Sequence, residues 1–341
     1  MEGFRPNQYE GEALSKRPDM IEGYRVLQSP EKSKEASDAI DEVRDILDGI
    51  HAEILFDIFV EYFGRVGNDI SSLDGTLSTP GEVGVMYSKK DNSYGFYHPQ
   101  YGPQLNAYPL KGDKDQVLNT LIHEYLHEVT ALRSDWKETQ LQSGESGIMQ
   151  VSPSGFSKTT SVYGYERDTN SVKDRKSLFF FDNQINEGIT QILTDDIHAE
   201  YVKRSGEGSD SPVRKDREGT PFTSDAYLDE QLNMYTYIAL ISALTEVPET
   251  DIKNAVIRSY FRNGSIVPEE FALLLKNLDL GVDKIISEMK RGLESKGFVN
   301  GIINKLLPIT QLTEAEQIRL YERLKGLHQE YLKCKEKKEK T

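Results

Sequence analysis

Between Asp113 and Arg133 the sequence DKDQVLNTLIHEYLHEVTALR sets Val117, Leu118, Leu121, Ile122, Tyr125, Leu126, Val129 and Leu132 at helical spacing. A run of that period and length predicts an amphipathic helix with a broad buried face. Asp113 or Asp115 is placed to cap its start. Any fold for this chain has to cover that face.

The elements around it supply the cover. Residues 33–65 carry Ile40, Val43, Ile46, Leu47, Ile50, Ile54, Leu55 and Ile58 at helical spacing, which predicts one or two helices. GEVGVMYS at 81–88 and YGFYHP at 94–99 are strand candidates, with KKDNS between them as a hairpin-like turn. Residues 134–177 are rich in Ser, Gly, Thr and charge and are expected to form a long surface excursion, with room for short elements. A helical pattern returns from about Asn186 to 203. Residues 204–225 are a polar loop. Helices are expected near 227–246, 249–262 and 268–297, and one amphipathic helix at 311–340.

The expected architecture is α+β. An irregular arm (1–32) precedes a lobe at 33–177 with a small mixed sheet and the central helix. A mainly helical lobe at 178–300 and a C-terminal amphipathic helix at 301–341 follow.

Composition removes several classes. With 41 Lys and Arg against 56 Asp and Glu, the formal net charge is −15, opposite to what a phosphate backbone attracts, so no nucleic-acid partner is expected. The single cysteine, Cys334, rules out an internal disulfide framework. No stretch approaches the length of apolar sequence that spans a bilayer. The first twenty residues hold no apolar run, so the expected location is cytoplasmic, with signal-independent export left open.

Chemistry concentrates in His123-Glu124-Tyr125-Leu126-His127, the pattern HExxH. Residues four apart stand one above the other on a helix, so both imidazoles can reach one ion. Catalytic zinc takes three protein ligands and leaves a position for water. The carboxylate following the first histidine is turned toward that water, where a general base is wanted. One zinc ion per chain is therefore expected on His123 and His127, with Glu124 as base.

Downstream lies Asn186-Glu187-Gly188. With these two motifs the chain, over about 110–265, resembles the gluzincin-type zinc metallopeptidases, the group that includes thermolysin and the zinc aminopeptidases. The resemblance implies a zincin-like catalytic lobe and makes Glu187 the third ligand, at the opening of a second helix. It implies an oxyanion donor from a later helix, Tyr235 in first place and Tyr237 in second. It implies a strand above the HExxH helix against which an extended peptide can pair. In thermolysin-like enzymes an Asp stands four residues after the ligand Glu. Position 191 here is Gln, and Asp195 and Asp196 follow one turn on.

The remaining histidines have weaker claims. His198 lies eleven residues beyond Glu187, about 16 Å along a straight helix, too far to share its ion. His51 is expected in an apolar core, and His98 could approach from the strand region. Arg258 and Arg262 are expected on the solvated surface. The aminopeptidase signature of GxMEN type is absent, so the implied activity is zinc-dependent endopeptidase hydrolysis of a peptide or protein substrate. Alternatives are an inactive zincin-like binding module, or a protease acting as a toxin or effector on one protein.

Overall fold

The computed structural model describes residues 34–65, 77–89, 93–98, 102–130, 135–140, 146–154, 157–165, 172–180, 183–206, 227–261, 297–306 and 312–338. The expected arm at 1–32, most of the polar loop at 204–225 and nearly all of the helix at 268–297 lie outside them. The described residues are mixed α and β, mostly helical. They divide between two units, one of 1–65, 69–181 and 196–208, the other of 66–68, 182–195 and 209–341. None of the described helices is long and apolar enough to cross a membrane.

In the first unit the stretch 33–65 becomes two helices, α1 (Lys34–Asp48) and α2 (Ala52–Arg65). The Gly49 N–H donates to the carbonyls of Asp45 and Ile46 and ends α1. His51 falls in that break and is exposed, with Nδ1 3.4 Å from Glu53 Oε1. It is not the core histidine expected, because the break carries it off the apolar stripe. Ala36, Val43 and Leu47 of α1, and Leu55, Ile58, Phe59 and Phe63 of α2, are the buried stripes.

The central helix, α3, spans Lys114–Thr130. Asp113 is its cap, accepting the Gln116 N–H on Oδ1 at 3.1 Å. Before it, a single helical turn at Ala107–Leu110 is followed by Lys111 and Gly112 at φ 48° and 67°. Two left-handed residues reverse the chain tightly into α3, a conformation that glycine takes without steric cost.

Beside α3 lies a three-stranded sheet of β1 (Gly84–Met86), β2 (Gly95–His98) and β3 (Gly102–Asn106). Its order is β1-β3-β2, with β1 parallel and β2 antiparallel to β3. The two strands expected to form a hairpin are therefore not neighbours. β3, whose GPQLN lacks apolar alternation, lies between them. Asn106 secures this arrangement by accepting the Ser88 N–H at 3.0 Å and donating to the Ser88 and Ser93 carbonyls at 3.1 and 3.2 Å.

The stretch expected as a surface excursion holds a four-stranded antiparallel meander, β4 (Asp135–Gln140), β5 (Ser146–Ser154), β6 (Ser157–Tyr165) and β7 (Val172–Phe180). Asp135, Val151, Thr160 and Leu178 form one cross-strand row. β-branched and aromatic residues such as Val151, Thr159, Thr160, Val162 and Tyr163 favour strands. Their polar neighbours hide the alternation from a sequence reading.

Helix α4 (Asn183–Ser205) runs from the second unit into the first. The second unit adds α5 (Leu228–Thr245), α6 (Glu249–Phe261), α7 (Phe298–Leu306) and α8 (Glu314–Lys338). α5 is buried on most sides. α8 covers it with Leu320, Leu324, Leu327, Tyr331 and Cys334. The Tyr331 hydroxyl donates to Asp229 Oδ1 at 2.7 Å, and Arg323 forks onto Glu249 at 2.9 and 2.8 Å.

Phe59 is fully buried and meets Tyr125 of α3 edge-on, with ring centroids 6.2 Å apart. Phe59→Ala should lower unfolding free energy by about 3–5 kcal/mol, measured by urea denaturation of the metal-free protein.

Candidate metal centre

Two stripes of α3 lie about 100° apart around the helix. Thr120, Glu124 and Glu128 form the stripe toward the sheet. A Cβ on Gly95 of β2 would stand 2.7 Å from Thr120 Cγ2, 2.8 Å from the Gln104 carbonyl and 3.2 Å from Glu124 Oε1. The strand can lie on Glu124 only because position 95 has no side chain. Glu128 accepts the Ser78 N–H at 3.0 Å and the Ser78 hydroxyl at 2.9 Å, both buried. Burial, with Glu128 nearby, pushes the Tyr97 and Tyr125 phenols above their ordinary value. Both remain neutral at any physiological pH.

The second stripe carries the histidines. His123 Nε2 and His127 Nε2 lie 3.2 Å apart, and the rings meet at 74°. Two nitrogens on one tetrahedral ion, each at about 2.0–2.1 Å, stand about 3.3 Å apart. An N–H···N hydrogen bond fits the same distance. A third group separates the two readings: one ligand atom each of His123, His127 and Glu187 lie within 4.8 Å of one another. These three side chains could hold a metal ion. Two imidazoles and one carboxylate leave a coordination position open.

Glu187 comes from α4, which starts at Asn183, so the carboxylate belongs to the second turn and not to the helix opening that the sequence suggested. Its neighbour Gly188 is a close-packing position. A Cβ there would collide with the Glu230 carbonyl oxygen and stand 3.1 Å from Met234 Cβ of α5. Thr190, one turn on, has its hydroxyl 2.8 Å from the Tyr260 hydroxyl of α6. Gln191 Nε2 donates to Asp195 Oδ1 at 2.9 Å, so the amide at position 191 is tied along its own helix.

Glu230 and Met234 mark the stripe of α5 that meets Gly188. At 100° per residue Tyr237 falls about 20° from Glu230, and Tyr235 about 140° away. Tyr237 is fully buried. Tyr235 is half-buried. His98 pairs through its backbone with Gly102, and Arg258 is half-buried on α6. Arg262 lies outside the described residues. His198 is fully buried, with Nε2 3.6 Å from Asp115 Oδ1.

Gly95 and Glu128 stand outside the motifs read from the sequence; their signals are a glycine inside a strand pattern and an acid on an apolar helix. Gly188 belongs to the Asn186-Glu187-Gly188 motif, but its close packing against α5 is not read from the motif. Comparison with family models, with curated proteins and with solved structures finds no match.

The cluster predicts about one tight divalent-ion site per chain. Calorimetric titration of metal-free protein with Co²⁺ should show it, and the His123→Ala/His127→Ala double variant should lose it. Full stoichiometry in that variant would place the ion elsewhere.

Proposed function

We propose that this chain is a zinc-dependent peptidase of gluzincin-like design, acting as an endopeptidase. The observation that supports this most is the meeting of His123, His127 and Glu187 at one point, with the buried Glu124 one residue around α3. A zinc ion held by those three side chains would supply Lewis acidity and lower the pKa of a water molecule to about 7.

The chain's own residues carry the rest. Glu124 takes the proton of the attacking water and passes it to the departing amine. Strand β2 pairs on one side with β3 and, among the described residues, with no strand on the other. An extended peptide added there would hydrogen-bond by backbone alone and lie across Glu124. A phenol from α5 donates to the oxyanion. The angular positions favour Tyr237 over Tyr235, since Tyr237 shares the stripe that meets Gly188.

Glu124→Gln should keep the wild-type zinc content and lose about 10²–10⁴ in turnover. The assay is cleavage of a denatured-proteome digest, with new N-termini identified by mass spectrometry. Zinc loss in Glu124→Gln together with retention in Glu187→Gln would exchange the two roles. Bound zinc without any cleavage would favour a binding module.

Tyr237→Phe should lower kcat by about 10²–10³ with KM nearly unchanged, while Tyr235→Phe leaves both. A loss confined to Tyr235→Phe returns the donor role to Tyr235.

A further inference from the structure

Strand β2 lies at an edge of its sheet, and among the described residues no strand lies beyond it. Soluble proteins blunt such edges with lysine, proline or an inward-pointing charge. From Tyr94 to His98 the sequence YGFYH carries none of these.

The hydrogen-bond phase decides which backbone groups the edge presents. Gly95 pairs with Leu105, so Tyr94 stands opposite Asn106, and the Asn106 N–H donates to the Tyr94 carbonyl at 2.8 Å. In an antiparallel ladder, pairs that exchange hydrogen bonds alternate with pairs that do not. Phe96 and His98, opposite Gln104 and Gly102, therefore bond inward to β3. Gly95 and Tyr97 turn their N–H and C=O groups to the open edge. Pro103 fits this phase, since it stands opposite Tyr97, where β2 requires no N–H from β3.

Side chains alternate between the two faces of the sheet. A Cβ on Gly95 would point at Thr120 and Glu124 of α3, so Gly95 and Tyr97 share the face toward the helix. Tyr94, Phe96 and His98 share the opposite face. Tyr94 is 40% exposed, and Phe96 and His98 are half-buried. A strand added antiparallel to β2, the commoner and slightly more stable pairing, bonds to Gly95 and Tyr97. Its residue between those two bonds stands opposite Phe96 in a pair without hydrogen bonds, the kind in which side chains come closest.

We infer that Tyr94, Phe96 and His98 select the substrate of this chain, an extended peptide with a large apolar side chain at every second residue, added antiparallel to β2. The peptidase reading supplies the occupant and the inference rests on it, because a Cβ on Gly95 would stand 3.2 Å from Glu124 Oε1. Phe96 is the central specificity-determining residue, while Gly95 and Tyr97 offer backbone groups alone.

The test is fluorescence anisotropy on the full chain, with a chelator present to stop turnover. The probe is a labelled peptide with the core Leu-Ser-Leu-Ser-Leu. Its isomer with the leucines grouped, equal in composition and charge, is the control. The alternating peptide should bind more tightly. N-methylation of its central leucine should leave affinity unchanged, since that N–H points away from β2. N-methylation of either serine should weaken binding about 2–10-fold. Phe96→Ala should weaken the alternating peptide about 1.5–5-fold and leave the grouped isomer unmoved. Tyr94→Glu alters an exposed position and keeps the test open if Phe96→Ala does not fold. It should favour Lys in place of the last leucine, the one opposite position 94 in an antiparallel strand. Equal affinity for the two isomers overturns the inference, as does N-methylation that harms the central leucine and spares the serines. A dimer of the chain that Tyr94→Glu dissolves also overturns it, by giving the edge to a second copy. If the zinc-loaded chain cleaves no peptide while the alternating one still binds, the peptidase reading falls and the recognition surface stands. Cleavage at sites without the two-residue period does the reverse.

Discussion

Four-residue spacing on α3 underlies the arrangement described above. Because side chains four apart stack on one face, a single helix presents two parallel columns. One column, Thr120, Glu124 and Glu128, is pressed against a sheet whose strand β2 fits over it at Gly95, where a side chain would collide. The other holds two imidazoles with their nitrogens 3.2 Å apart. The apolar residues between and behind the columns, Leu121, Ile122, Tyr125 and Leu126, are buried. They hold the helix in place, so the polar columns need no flexibility of their own to converge.

Burying carboxylates in this way is costly unless each is satisfied. Glu128 is satisfied by both donors of Ser78. That contact ties the loop before β1 to the turn of α3 that carries His127. In the second unit the corresponding economy of space is at Gly188, where α5 approaches α4 so closely that a methyl group would not fit. Close backbone approach beside a buried or half-buried carboxylate thus recurs on both helices, and in both cases a glycine permits it.

Much of this was legible in the sequence because it depends on local period. α3, its capping aspartate, the helices at 228–245 and 249–261, and the HExxH spacing follow from residues within a few turns of each other. What stayed hidden depends on distant partners. The parallel pairing of β1 with β3 requires knowing that Asn106 will bond the backbone at Ser88 and Ser93. The break that exposes His51 depends on a glycine that local pattern alone does not distinguish from a helical one. Nothing in the sequence around His198 points to its burial near Asp115. The strands between 135 and 180 were missed because their polar residues mask the alternation.

That meander bears on how His127 and Glu187 come together. Along the chain, His127 and Glu187 are separated by 60 residues (187 − 127), and closing a flexible loop of that length carries an entropy that grows with its logarithm. The meander is built from neighbouring hairpins, which form on local contacts. Its first strand starts and its last strand ends on nearly the same cross-strand row, so the chain enters and leaves the sheet only three strand spacings apart, about 14 Å. Once folded, the sheet shortens the open chain between His127 and Glu187 to the residues on either side of it, so a segment of this length adds little to the entropy of bringing the two together.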